Sequence, residues 1–139
     1  MPEAEIEIET EINTGRESPE GMLALQTLAM PKDTNANGDI FGGWLVSQMD
    51  LAAGIASKSV AKGRSATVAI QNVSFIAPVV VGSTVSCYTK LVKKGTSSMH
   101  FQVQVWTSLL VEGQRKKVAD GVFVFVALDD NGKKRAIPE

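Results

Sequence analysis

Between Gly42 and Val60 the chain carries one long apolar helical segment, GGWLVSQMDLAAGIASKSV, and everything after it reads as strand. A helix this hydrophobic is too greasy to show a wide face to water, so a sheet has to curl round it. Five segments can build that sheet. Gly21 to Met30 is a first strand stopped by Pro31, and PKDTNANGD, running to Asp39, is packed with turn residues. The helix should end near Lys62-Gly63, and four strand patterns follow: Ala66–Phe75, Ser83–Val92, Ser97–Thr107 and Val118–Leu128. In the first of these Val68 and Ile70 alternate before the phase shifts to Val73 and Phe75, which predicts a bulge. In the second, Val85, Cys87 and Leu91 share a face. In the third, Met99, Phe101, Val103 and Val105 face one way and His100, Gln102 and Gln104 the other. The fourth, VADGVFVFVAL, is nearly continuous apolar, as in a strand covered on both faces. No helix separates these four, so the sheet should be antiparallel, of meander or hairpin type. The expected class is α+β: a long central helix wrapped by a curled antiparallel sheet. Its uncovered face and edges make a dimer the economical solution.

Composition narrows the function classes. At 139 residues the chain is one domain, with no apolar run long enough to span a membrane and no secretory signal in MPEAEIEIETE. A single cysteine, Cys87, forms neither an internal disulfide nor a zinc cluster, and a reducing cytoplasm is the natural location. Residues 1–20 hold seven Glu against Arg16 alone, and read as a flexible acidic tail or an added edge strand. The body, 21–139, carries thirteen Lys/Arg against eight Asp/Glu. That balance fits an anionic ligand. It fits bulk nucleic-acid binding less well, because too few aromatics lie among the basic clusters to stack bases, and surface lysines that merely solubilise remain the plain alternative.

The chemistry-bearing residues are few. DTNANGD at Asp33–Asp39 imitates the start of an EF-hand loop, but position twelve is Trp44 where calcium needs a bidentate Glu, so turn chemistry is the better reading. Glycine at Gly42 and Gly43 leaves helix-start N–H groups open to close approach, which suits either an oxyanion or a tight packing turn. Gly43, Ser47, Asp50, Gly54 and Ser57 recur at spacings of four and three, forming one stripe of small and polar residues. Such a stripe admits another backbone, a ligand or a partner subunit. Asp50 is too far along the helix to cap it or answer its dipole, so it must be solvated, hydrogen-bonded or neutralised. A structural role and a functional one both remain open on these grounds. His100 on a polar strand face and Cys87 on an apolar one disfavour a Cys–His or Ser–His–Asp arrangement, and no cluster has metal-ligand spacing. Arg64, the turn Lys93-Lys94-Gly95-Thr96-Ser97-Ser98 and the run Lys133-Lys134-Arg135 could take phosphates, although each is also an ordinary solvated turn.

At NANGDIFGGWLVSQMD the chain resembles the hotdog-fold acyl-CoA thioesterases, and the bacterial YciA-like hydrolases in particular. The likeness spans about Leu23 to Pro138, through VSFIAPVVVGS, KKGTSS and DDNGKKRAIP, and leaves out the acidic tail. It implies a hotdog fold active as a homodimer, often assembled as a homohexamer, a trimer of dimers. By resemblance Asp50 matches the catalytic carboxylate and Gly42 the glycine whose N–H polarises the thioester carbonyl, with Gly43 beside it. Asn35 matches an asparagine near the attacking water. Relatives that carry histidine before the glycine pair differ here, where Phe41 stands, and no histidine role carries over. The implied reaction is hydrolysis of short- to medium-chain acyl-CoA to fatty acid and CoA. It needs no cofactor, since CoA belongs to substrate and product. The CoA phosphates would lie near Arg64, Lys93, Lys94, Gly95, Thr96 and Ser97. The rivals are a non-catalytic acyl-CoA or nucleotide sensor on the same fold, and a hotdog dehydratase, which wants a His paired with an acid in the site.

Overall fold

The computed structural model describes residues 18–109 and 114–139. Five strands and one long helix account for most of them: β1 (Met22–Leu28), a 3-10 turn at Pro31–Asp33, α1 (Gly42–Ala61), β2 (Ser65–Phe75), β3 (Thr84–Lys94), β4 (Ser98–Ser108) and β5 (Lys116–Ala127). All strand pairs are antiparallel, in the spatial order β1-β3-β4-β5-β2. The meander therefore covers only β3-β4-β5. β1 and β2 occupy opposite edges, so α1 carries the chain across one face of the sheet and residues 76–83 carry it back. The sheet stays open, because β1 and β2 do not pair with each other.

The core lies between one side of α1 and the inner face of the sheet. Leu45, Met49, Ala52 and Ala53 pack against Val85, Cys87, Met99, Phe101, Val103 and Val105, all buried. Phe101 and Phe125 meet edge to face with centroids 6.3 Å apart. β5 is buried on both faces, as its unbroken apolar run requires: Phe123 and Phe125 face inward, and Val124 and Val126 are also covered. The sheet does not enclose the helix, however. Leu51 is 56% and Ile55 49% exposed, so the far side of α1 is open in a single chain. Leu91 also departs from expectation: it is exposed, just before a register shift between Leu91 and Lys93.

The bulge expected in β2 is present, with the register shifting between Gln71 and Ser74 and Asn72 in the left-handed region at φ 55°. Asn tolerates that conformation better than most residues. Gly121 on β5 makes the bulge fit, since a Cβ there would stand 2.8 Å from Val73 Cγ2.

The helix ends where expected. Lys62 adopts the left-handed conformation and its N–H donates to the Lys58 carbonyl at 2.8 Å. Arg135 completes this end, its guanidinium donating to the Ala61 carbonyl (2.8 Å), the Leu128 carbonyl (2.8 Å) and, at 3.4 Å, the Ala136 carbonyl. Arg135→Ala removes a charged donor from a helix C-terminus and two chain segments, and is expected to cost about 2 kcal/mol. Thermal unfolding should show this as a Tm lower by several degrees.

Residues 1–17, where any added edge strand of the acidic tail would fall, lie outside the described residues. Glu20, just ahead of β1, is tied to the sheet, its N–H donating to Gln104 Oε1 at 3.1 Å. Among the described residues no helix is long and apolar enough to cross a membrane.

Candidate active site

The loop before α1 folds on its own side chains. Asn35 Oδ1 accepts from the N–H groups of Asn37 (2.9 Å) and Asp39 (3.1 Å), and Asp33 Oδ2 accepts from Met30 N at 3.1 Å. This is the turn chemistry expected in place of calcium binding. Asn35 is exposed, it holds the loop with its oxygen, and among the described residues its amide NH2 has no partner.

The loop delivers Phe41 as the N-cap, without a side-chain cap, and α1 begins on the two glycines. The Phe41 carbonyl accepts from Trp44 and Leu45, and among the described residues neither Gly42 nor Gly43 donates to a backbone carbonyl. A ring also stands beside each glycine. A Cβ on Gly42 would stand 3.0 Å from Phe75 Cζ, and one on Gly43 would stand 3.3 Å from Phe41 Cε2. The two readings of the pair therefore coexist: the turn is sterically tight, and it presents open donors at the positive end of the helix.

Asp50 sits half-buried, about 12 Å along the helix axis from Gly42. Thr67 Oγ1 donates to Asp50 Oδ1 at 2.7 Å, and among the described residues nothing pairs with the second oxygen. The carboxylate is thus hydrogen-bonded on one side and open on the other. The stripe that Asp50 belongs to faces the chain's own β2 along its C-terminal half: Ser57 is buried and its hydroxyl meets that of Ser65 at 2.6 Å. Gly54 lies under the Phe125 ring, while Gly43 and Ser47 at the other end are exposed.

Thr67 belongs to no motif in the sequence. The apolar alternation of β2 draws the eye to Val68 and Ile70, yet both are exposed, and Thr67 is the residue on the helix side. The signal available was a hydroxyl in opposite phase to that alternation.

The basic segments gather at the far end, beside the helix C-terminus. Leu128 N donates to the Arg64 carbonyl, Ala127 N to the Ser97 carbonyl, and Ile137 N to the Thr96 carbonyl at 2.8 Å, so the Lys93–Ser98 turn, Arg64 and the C-terminal segment adjoin. Gly95 lies close against the Ser98 hydroxyl, a Cβ there standing 2.6 Å from Ser98 Oγ as that side chain is now turned. Lys93 and Lys94 are exposed, with Lys94 Nζ 3.4 Å from the Pro138 carbonyl, and Arg64 is exposed with only a 3.4 Å contact to the Asp130 carbonyl. Arg135 spends three of its five N–H donors on carbonyls at the helix end, a structural use of its guanidinium.

Cys87 is fully buried, and burial pushes its thiol up to about 12 from 9.0. It is no nucleophile at neutral pH. A thiol reagent at pH 8 should label the unfolded chain and leave the folded one untouched over the same period. The sign of the linkage also follows. The unfolded chain releases this proton from about pH 9 and the folded one only near 12, so stability falls as pH rises through that window. His100 lies on the outer sheet face, opposite Lys93 and Val124 in the ladder, away from the helix and Asp50.

Within one chain, then, Asn35 and the glycine pair stand at one end of α1, Asp50 in its middle, and the cations at the other end. Comparison with known proteins gives the family of the chain. The model of the thioesterase superfamily matches residues 37–110. An acyl-CoA thioester hydrolase YciA of Salmonella typhimurium is 48% identical over 124 residues, covering 87% of this chain and 93% of that protein. Among solved structures, a hexameric thioesterase of Yersinia pestis superposes with a TM-score of 0.84 at 48% identity, covering 88% of this chain and all of the other. A hexameric broad-specificity acyl-coenzyme A thioesterase, solved as an aspartate-to-alanine mutant, gives 0.83 at 50% identity, covering 86% and 88% of the two chains. The chain belongs to the thioesterase superfamily, within its YciA-like acyl-CoA thioester hydrolases.

Proposed function

We propose that the chain hydrolyses acyl-CoA thioesters to free acid and CoA at a site built from two protomers. The observation that carries this reading is Asp50: a carboxylate on an apolar helix, oriented by Thr67 through one oxygen and open at the other. In the proposed reaction the thioester carbonyl accepts a hydrogen bond from the N–H of Gly42 or Gly43. Asp50 removes a proton from water as it attacks, or attacks directly to form an anhydride that water then cleaves. A C–O bond forms, the C–S bond breaks, and CoA leaves as its thiol. No separate cofactor enters.

About 12 Å of helix separates Gly42 from Asp50, too far for both to act on one carbonyl, so each site pairs the glycine turn of one protomer with Asp50 of another. The open side of α1 and the unpaired edges are consistent with such assembly, and the hexameric relatives support a homohexamer made of dimers. Asn35 would approach the attacking water with its free amide. Arg64, Lys93 and Lys94, with the hydroxyls and N–H groups of the Gly95–Ser97 turn, would take the CoA phosphates. A reduced Cys87 suits a cytoplasmic enzyme. Nothing in the relatives favours a non-catalytic sensor. A thiol-release assay on the purified protein with acetyl- to palmitoyl-CoA tests the reading: turnover is expected, and CoA binding without turnover would leave the sensor in its place.

A further inference from the structure

Beside the glycine turn lies a cavity of about 490 Å³, whose lining includes Ile40, Gly42, Leu45, Phe75, Ala77 and Val79. Among the described residues no charged or polar side chain lines it. One wall is Gly42 itself, and the tip of the Phe75 ring stands directly against that residue. Phe75 is the last residue of β2, beyond the bulge at Asn72, and 54% of it is exposed although it is a large apolar side chain. The ring stands at the rim of the groove and outside the close-packed core, where a change of rotamer displaces fewer neighbours than in the core.

We infer that this groove receives the acyl chain of the substrate, and that Phe75 sets the chain length the enzyme uses. The inference rests on the thioesterase reading. If the carbonyl accepts from the Gly42 N–H, the carbon next to it starts at the groove's edge, and the methylenes that follow meet an uncharged lining. An apolar chain is the matching occupant, since each methylene taken from water contributes about 0.8 kcal/mol. The ring over Gly42 narrows the entrance, so short acyl groups fit beside it and longer ones must displace it.

The test compares wild type with Phe75→Ala and Phe75→Trp across acetyl-, butyryl-, octanoyl- and dodecanoyl-CoA. The readout is the ratio of kcat/KM for dodecanoyl- over butyryl-CoA. Phe75→Ala is expected to raise that ratio at least about tenfold and Phe75→Trp to lower it, the scale on which a hydrophobic pocket discriminates a few methylenes. Ratios within twofold of wild type in both variants overturn the inference, as does an equal fall at every chain length. A change in oligomeric state by light scattering with no change in ratio also overturns it, and gives the groove to a second copy of the chain. A wild type inert on all four substrates removes the thioesterase reading and this inference together, whereas an active wild type with unmoved variant ratios removes only the inference.

Discussion

Asp50→Asn is expected to lower kcat/KM for butyryl-CoA by about 10²–10⁴-fold, the range that loss of a general base produces. The loss should fall mainly on kcat, because the carboxylate acts on water in the transition state and does not hold CoA. Asparagine keeps an oxygen that can still accept from Thr67 Oγ1, so the helix-to-β2 contact survives and the Tm should move little. That separation of activity from stability distinguishes a catalytic carboxylate from a structural one. A variant that retains activity within tenfold of wild type would return Asp50 to a packing role, and a variant that loses activity and fold together would do the same.

The second large effect concerns the glycine turn and reports on architecture as well as chemistry. Gly42→Val drives side-chain atoms into the space of the Phe75 ring and closes the approach to the open N–H, and loss of one such donor typically costs 10²–10³ in rate, with ~ one order of scatter. Asp50→Asn and Gly42→Val homomers should therefore both be nearly inactive. Mixed by co-refolding, however, they should recover activity. A heterodimer holds one site in which both defects fall together and another in which both residues are intact, so random mixing restores about a quarter of wild-type sites. No recovery in mixed samples that have demonstrably exchanged subunits would place Asp50 and Gly42 in the same protomer's site. The axial distance along α1 opposes that outcome.

The sequence made some of this structure legible and hid the rest for identifiable reasons. Helix limits, strand positions and the β2 bulge follow from local signals: turn residues, period-two alternation and the Lys62-Gly63 stop. Strand order is a non-local property. Nothing in Ala66–Phe75 says that its neighbour will be Val118–Leu128 and not Ser83–Val92, and the expected meander was right only for the last three strands. Val68 and Ile70 show a deeper limit, since an apolar face that turns outward carries the same pattern as one that turns inward. That ambiguity hid Thr67. Asp50 was conspicuous because charge on a greasy helix is costly, and Gly42-Gly43 because paired glycines weaken a helix unless something comes close. Arg135 looked like a free cation since sequence cannot show which carbonyls lie within reach of a guanidinium.

The Asn72 bulge divides β2 into two stretches that answer to different neighbours. Ahead of it Thr67 and Ser65 are in step with the helix, and beyond it Phe75 is in step with the apolar groove. The register shifts between Thr67 and Ala69 and again between Gln71 and Ser74, so the groove end is out of ladder step with the helix-facing end. Substitutions at the groove end should then leave the carboxylate aligned, so that substrate range and catalytic competence are expected to vary separately along a single strand. A laboratory selection for new acyl lengths should find its first changes after residue 72 and leave Ser65 and Thr67 alone.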